Sequence, residues 1–202
     1  MSVLTIQAPP WQPSSTVPQM RKWTVTEFDR LGELGCFEGR RAFLLDGVIL
    51  EQGPMDPPHA DAVEVLTEFL RTAFGVGWRF RIQLPLHVNT SNNPMPDLAV
   101  VAGTPGYRGV HPTTAALVVE ISDTTLQSDL TDKAERYATA GIADYWVLDL
   151  NGRQPHVFRD PQPLPAGLGA TAYRKHHIFG VNDSIAPLAA PNAPIRVADL
   201  LP

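Results

Sequence analysis

The chain contains only one cysteine, Cys36, among its 202 residues. A single cysteine cannot close a disulfide within the chain, and it cannot build a multi-cysteine zinc site. No apolar run reaches the roughly 18 residues that a membrane-spanning helix needs. The first residues also lack a basic segment followed by an apolar core, so they do not predict a secretory signal. We therefore expect a cytoplasmic protein with no membrane attachment.

Positive charge is scarce as well. Lysine and arginine together number 16, against 21 aspartates and glutamates, which gives a formal net charge of −5. This balance argues against a protein that coats nucleic acid through bulk electrostatics, although it leaves room for a local basic cleft. An acidic total is compatible with a site that gathers carboxylates around a divalent cation.

Length and composition indicate one globular domain with an additional arm. The chain has 44% hydrophobic and 18% charged residues, which is typical of a folded domain, and its length suits a single one. Residues 1–21 contain several prolines and serines and show no apolar periodicity, which predicts a flexible arm. Residues 22–202 are then expected to form the domain.

Helical and strand patterns alternate along the domain. Apolar spacing and capping residues predict helices at 24–35, 57–75 and 125–141. Apolar runs and turn signals predict a hairpin around Asp46-Gly47, strands at 78–88, 97–102, 116–122 and 172–179, and a second hairpin within 144–160. This mixed order predicts an α/β fold, in which a central sheet carries helices on at least one face.

Two acids stand in segments that are otherwise apolar. Asp97 opens the strand "DLAVVA", and Glu120 lies near the end of "ALVVEIS". Neighbouring strands lie about 4.8 Å apart, so these carboxylates can share one locus if the register allows it. Two close carboxylates both ionise only when a cation or a proton lies between them. The alternative for each acid is a strand-end position that faces solvent or caps a helix.

The helix that follows supplies a candidate base. A basic residue two positions after Glu120 would complete a familiar metal-nuclease arrangement, but Ser122 stands there. Asp129 and Lys133 are spaced i, i+4 on the next predicted helix, so Lys133 can direct its ammonium back toward the sheet. There it could orient a water molecule or offset charge on a phosphate. The alternative is a surface Asp129–Lys133 pair, worth about 0.3–0.5 kcal/mol.

Two further residues flank "QGPMDPP", between the first hairpin and the second helix. Glu51 is a candidate extra ligand for a metal ion or a water molecule. His59 is a candidate contact for a phosphate or for the rim of the site. The alternative for each is a solvated loop residue or a hydrogen bond at the start of the helix.

Three stretches together resemble a known family. They are "LLDGVILEQGPMDPPHA", "PDLAVV" and "LVVEISDTTLQSDLTDKAERYATAGIADYWVLDL". They resemble the bacterial restriction-endonuclease-like family, formerly a domain of unknown function, of the PD-(D/E)xK nuclease superfamily. The resemblance covers residues 25–200. It implies a mixed central β-sheet flanked by helices, with an N-terminal helix and hairpin.

The resemblance also implies roles for individual residues. Asp97 and Glu120 match the metal-binding acids, and Lys133 matches the basic residue, moved from the strand to the helix. Glu51 matches the acid supplied upstream, and His59 matches the histidine at the helix start. Apart from the resemblance, Ser122, two residues after Glu120, and Asp129, spaced i, i+4 with Lys133, are further supporting positions.

The implied activity is hydrolysis of DNA phosphodiester bonds with Mg²⁺ or Mn²⁺. A homodimer is a further expectation, because such nucleases often pair to cut two strands, and residues 144–150 are a candidate contact strand. One alternative is a nuclease-fold domain without catalysis that binds DNA or a protein. Another is a metal-dependent hydrolase of a different phosphate ester.

Overall fold

The computed structural model describes residues 19–103, 110–163 and 171–201. Most of the predicted arm, residues 1–21, therefore lies outside the described residues. The elements are α1 (Val25–Glu33), β1 (Ala42–Leu45), β2 (Val48–Glu51), α2 (Pro57–Phe74), β3 (Trp78–Ile82), β4 (Leu98–Ala102), β5 (Leu117–Ser122), α3 (Leu126–Ser128), a π-helical turn (Asp129–Lys133), α4 (Ala134–Thr139), β6 (Asp144–Asp149), β7 (Gln154–Pro163), β8 (Thr171–Ile178), β9 (Ser184–Ile185), β10 (Ile195–Arg196) and α5 (Val197–Leu200). No helix within these ranges is long and apolar enough to cross a membrane.

Six strands form one mixed sheet in the order β3-β4-β5-β6-β7-β8. The β5–β6 pair is parallel and the other neighbouring pairs are antiparallel. Helices α2 and α5 pack on one face against Leu98, Val119 and Trp146. Helix α4 packs on the opposite face. The predicted α/β fold with a mixed central sheet flanked by helices is confirmed.

Helix α2 has the start and stop signals that its sequence predicts. The carboxylate of Asp56 accepts a hydrogen bond from the backbone N–H of His59 at 3.1 Å, and two prolines occupy the first turn. Proline suits these positions because the first helical N–H groups have no intrahelical partner. Gly75 ends the helix with φ 66°. This capped start therefore fixes the position of His59 in the first turn of α2.

The first hairpin, β1–β2, also forms as predicted. Its turn residues Asp46 and Gly47 have φ 49° and 73°, which is the left-handed conformation that a two-residue turn of this kind requires. Leu45 pairs with Val48 beside the turn. On one side the hairpin packs against α1 through Leu44. The other side faces the cleft described below.

Three sequence expectations differ from the structure. The strand predicted at 78–88 ends at Ile82, because Gln83 has φ 48° and Pro85 has no N–H to donate to a neighbouring strand. The helix predicted at 125–141 contains the π-helical turn between α3 and α4. Strand β6 is buried along its whole length between β5 and β7. It therefore offers no surface for the dimer contact that was expected at 144–150.

The close approach at the hairpin turn leads to a stability prediction. A Cβ at Gly47 would lie 2.8 Å from the Cβ of Lys22 and 3.0 Å from the carbonyl oxygen of Trp23, at a positive φ. We expect Gly47→Ala to lower the free energy of unfolding by about 1–3 kcal/mol, from strain and displacement together. Urea unfolding followed by circular dichroism measures the change.

Gly53→Ala is the matched control. A Cβ there meets no described atom within 4 Å, and Gly53 is not among the glycines with positive φ. Its free energy of unfolding should stay within about 0.5 kcal/mol of the parent. Equal stability of the two variants would contradict the proposed crowding at Gly47.

Candidate functional site

The two strand acids lie side by side. Strands β4 and β5 are antiparallel with Leu98 opposite Val119, so Asp97, one residue before β4, falls opposite Glu120. Both side chains are buried, with 4% and 2% of their residue surface exposed. The backbone N–H of Ile121 donates to Asp97 Oδ2 at 2.8 Å. The sheet itself thus holds one carboxylate against the other.

Asp97 is further surrounded by donors. Gln83 Nε2 donates to Asp97 Oδ1 at 3.1 Å, and His59 Nε2 lies 2.9 Å from the same oxygen. Burial alone would raise the pKa of Asp97, but His59, the Ile121 N–H and Gln83 together lower it. The hydrogen bond to Asp97 in turn raises the pKa of His59. Each of the two groups therefore stabilises the charged form of the other.

Glu120 has a different environment. Tyr137 Oη donates to Glu120 Oε1 at 2.7 Å, and Lys133 Nζ lies 3.1 Å from Glu120 Oε2. Burial raises the pKa of Glu120 to about 7; Lys133 opposes this rise, whereas Asp97 and Asp129 add to it. Glu120 is thus a buried carboxyl group with two other acids nearby. Additional positive charge at this point would stabilise its ionised form.

Lys133 reaches the sheet from the helical segment 126–139, hereafter the site helix. Its Nζ lies 2.7 Å from Asp129 Oδ1, and Asp129 Oδ2 accepts hydrogen bonds from Ser122 Oγ and from Thr125 Oγ1. Burial opposes the charged form of Lys133, but Glu120 and Asp129 raise the pKa of its ammonium above the ordinary value. Ser122, two residues after Glu120, therefore anchors the acid that holds Lys133.

The π-helical turn spans this arrangement, from Asp129 to Lys133. Tyr145 Oη donates to the backbone carbonyl of Asp129 at 2.9 Å, so the wide turn has a partner outside the helix. Single π turns within α-helices often occur at functional sites. Here the turn sets the direction of both Asp129 and Lys133.

Asp97, Glu120, Lys133 and His59 line an open cleft of about 510 Å³. The β1–β2 hairpin forms its opposite wall, and Arg136 joins hairpin to site helix, with Nη2 2.6 Å from Asp46 Oδ2. Glu51 lines the cleft but is exposed and pairs with Arg40 at 3.0 Å. The structure thus brings together Asp97, Glu120, Lys133, His59, Ser122 and Asp129, and leaves Glu51 apart from the buried acids.

Sequence reasoning assigned no role to Gln83 or to Tyr137, each of which donates to one of the two acids. For Tyr137 the sequence did contain an indication, because this residue follows Lys133 by four positions and therefore lies on the same face of the helix. Gln83 is a polar residue directly after a strand. Only the antiparallel pairing of β3 with β4 brings that strand end to Asp97.

The donor set suits a hard divalent cation. No group of three or more His, Cys, Asp or Glu side chains within the described ranges is arranged as a complete metal site. Mg²⁺ commonly binds through one or two carboxylates together with water and substrate phosphates. Asp97 and Glu120 supply two buried carboxylates on one side of an open cleft, so they fit such an ion.

Comparisons with known proteins agree with this fold. The model of the Uma2 family, described as "Putative restriction endonuclease", matches residues 25–190. A crystal structure of a "putative nuclease belonging to DUF820" from Anabaena variabilis superposes with a TM-score of 0.62. That likeness has 14% sequence identity and covers 79% of this chain and 88% of the other. No curated protein matches the sequence.

The raised pKa of Glu120 predicts a pH-dependent stability in metal-free buffer. The folded protein keeps the Glu120 proton up to about pH 7, whereas the unfolded chain loses it near the ordinary pKa of 4.5. Stability should therefore fall as the pH rises from 4.5 through 7. In Glu120→Gln this contribution is absent. Raising the pH from 5 to 8 should therefore increase the free energy of unfolding of the variant, relative to that of the parent, by roughly 2–3 kcal/mol.

Urea unfolding in EDTA at both pH values measures this difference. Glu135→Gln, at an exposed position of the same site helix, is the matched control and should keep the pH dependence of the parent. An unchanged difference between the parent and Glu120→Gln from pH 5 to pH 8 would mean that Glu120 titrates normally in the folded state.

Proposed function

The chain belongs to the Uma2 family, and from this premise we propose that it is a metal-dependent endonuclease that hydrolyses DNA phosphodiester bonds. One observation carries the proposal. Asp97 and Glu120 lie buried side by side at a cleft, with Lys133 Nζ 3.1 Å from Glu120. Burying two neighbouring acids requires the fold to supply partners such as His59 and Lys133, and a purely structural core does not need such a cluster beside an open cleft.

Asp97 and Glu120 are the residues that would hold Mg²⁺ or Mn²⁺. Such an ion, when bound, lowers the pKa of a coordinated water and stabilises negative charge on the phosphate. The chain contributes the fixed position of the two carboxylates. The Ile121 N–H and Gln83 orient Asp97, and Tyr137 orients Glu120.

Lys133 supplies positive charge rather than a proton acceptor. Its pKa lies above the ordinary lysine value, so its ammonium stays protonated at neutral pH and cannot act as a general base. It can donate hydrogen bonds to an attacking water or to a phosphate oxygen on which charge develops. Ser122 and Asp129 hold it in place, as positioning residues.

His59 and Glu51 have supporting roles in this proposal. The imidazole of His59 stabilises the ionised form of Asp97 and lies at the cleft, where it can also contact a phosphate. Glu51 lines the same cleft, so it can contribute a water ligand only when its pair with Arg40 opens.

Loss of Asp97 provides the test. Purified protein should nick supercoiled plasmid in Mg²⁺ or Mn²⁺ and not in EDTA. We expect Asp97→Asn to reduce the nicking rate by at least about 100-fold, the usual scale for loss of a preorganised charged group. Asp61→Asn, at an exposed position of α2, removes the same charge and should cut at the parental rate.

Parental nicking by Asp97→Asn would contradict the assignment. DNA binding without metal-dependent cutting would instead support a non-catalytic nuclease-fold module. That second function is favoured by one observation, namely that Lys133 is engaged by two carboxylates while Ser122 occupies the strand position. The expected homodimer stays a prediction, and sedimentation of the parent protein tests it.

A further inference from the structure

Two arginines lie outside the cleft, on the edge strand β3. Arg79 and Arg81 pair with Val101 and Ala99 of β4. Cross-strand partners share a face of the sheet, and so do residues two apart. The arginines therefore lie on the face that carries Asp97. Strand geometry places the backbone of Arg81 roughly 8 Å and that of Arg79 roughly 14 Å from Asp97, in a row that leads away from the acids.

These arginines have no acidic partner among the described residues. Arg81 Nη2 donates to the Pro85 carbonyl at 2.9 Å and lies 3.0 Å from His111 Nδ1. The Nε atoms of Arg79 and Arg81 are buried without any hydrogen-bond partner that the structure describes. In the same place the rings of His87 and His111 contact each other at a tilt of 55°, with their centroids 4.9 Å apart. The nearest carboxylate contact, Asp29 to His87, is long at 3.9 Å.

The local field is therefore positive in a chain whose net charge is −5. Burial and the charge of Arg79 lower the pKa of Arg81. Burial lowers the pKa values of His87 and His111 and the charge of Arg81 adds to this effect, whereas Asp29 opposes it. Partly buried arginine side chains without a counter-charge are costly to the folded protein. An external anion would remove that cost.

We propose that Arg79, Arg81, His87 and His111, the basic strip, bind backbone phosphates of a DNA strand whose neighbouring phosphodiester lies at Asp97 and Glu120. The proposal rests on the proposed function, and it adds where the substrate runs. The two arginine side chains leave the same strand face from Cα atoms about 6.8 Å apart, a spacing that allows them to contact successive phosphates of one strand.

A polymer fits the strip better than a single phosphate does. The row extends over several residues and points back to the acids, whereas a free phosphate would need its donors to converge on one point. Two other groups of basic residues lack this relation to the site. Arg71 lies over Phe80, on the opposite face, and Arg174 and Lys175 lie on β8, at the far edge of the sheet.

DNA binding in EDTA tests the strip without requiring catalysis. Fluorescence anisotropy with a labelled 20-base-pair duplex, from 50 to 200 mM NaCl, compares the parent with Arg79→Gln/Arg81→Gln. We expect at least 10-fold weaker binding for this variant, and a salt dependence whose slope is smaller by about 2. Arg174→Gln/Lys175→Gln removes the same charge from the opposite edge strand and should retain both affinity and slope.

A conservative pair separates charge from folding. Arg79→Lys/Arg81→Lys keeps both positive charges and should retain the parental salt slope, and circular dichroism checks that every variant is folded. If the two double-glutamine variants lost DNA affinity equally, the reduction in bulk charge alone would explain both losses. That result would contradict the proposed role of the basic strip. Parental affinity in Arg79→Gln/Arg81→Gln, or no DNA binding by the parent protein, would overturn it too.

Failure of the strip and failure of the proposed function give different results. If the parent cuts plasmid in Mg²⁺ but the arginine pair makes no difference to DNA binding, the strip is wrong and the nuclease stands. If the parent binds DNA through the arginine pair but does not cut in Mg²⁺ or Mn²⁺, the nuclease proposal is wrong and the strip stands.

Discussion

The pairing of β4 with β5 is the constraint on which the rest of the site depends. Because Leu98 lies opposite Val119 in an antiparallel ladder, the next positions outward are Asp97 and Glu120. A shift of one residue in this register would move the apolar side chains of a whole strand to the other face. Both faces of these strands are packed by helices, so the core holds the register that brings the two acids together.

Burying two acids side by side obliges the fold to supply positive charge and hydrogen-bond donors. They come from separate parts of the chain. His59 comes from the capped start of α2, and Lys133 comes from the site helix on the other face. The π-helical turn matters here because it lets Asp129 reach Ser122 on the sheet while Lys133 reaches Glu120. Through Asp129, the same turn connects Lys133 on the site helix with Ser122 on the sheet.

Charge is distributed unevenly over the molecule. The chain as a whole is acidic, yet Arg79 and Arg81 lie on one strand face without an acidic partner in the described part of the structure. Inside the cleft the positive groups are already paired, Lys133 with Glu120 and Asp129, and Arg136 with Asp46. Positive charge that remains available to a polyanion is therefore found beside the cleft rather than within it.

The sequence alone determined the local elements and the residue types of the site. The Asp46-Gly47 turn, the capped α2 and the apolar strands carrying Asp97 and Glu120 follow from backbone preferences and hydrophobic pattern, which act over a few residues. Tertiary structure decided what those patterns do not encode. Gln83 meets Asp97 only through strand pairing, Glu51 stays on the cleft wall with Arg40, and Ser122 contacts Asp129 through the π-helical turn. These contacts join residues far apart in the chain or depend on an irregular turn, so strand register and packing set them rather than any local pattern.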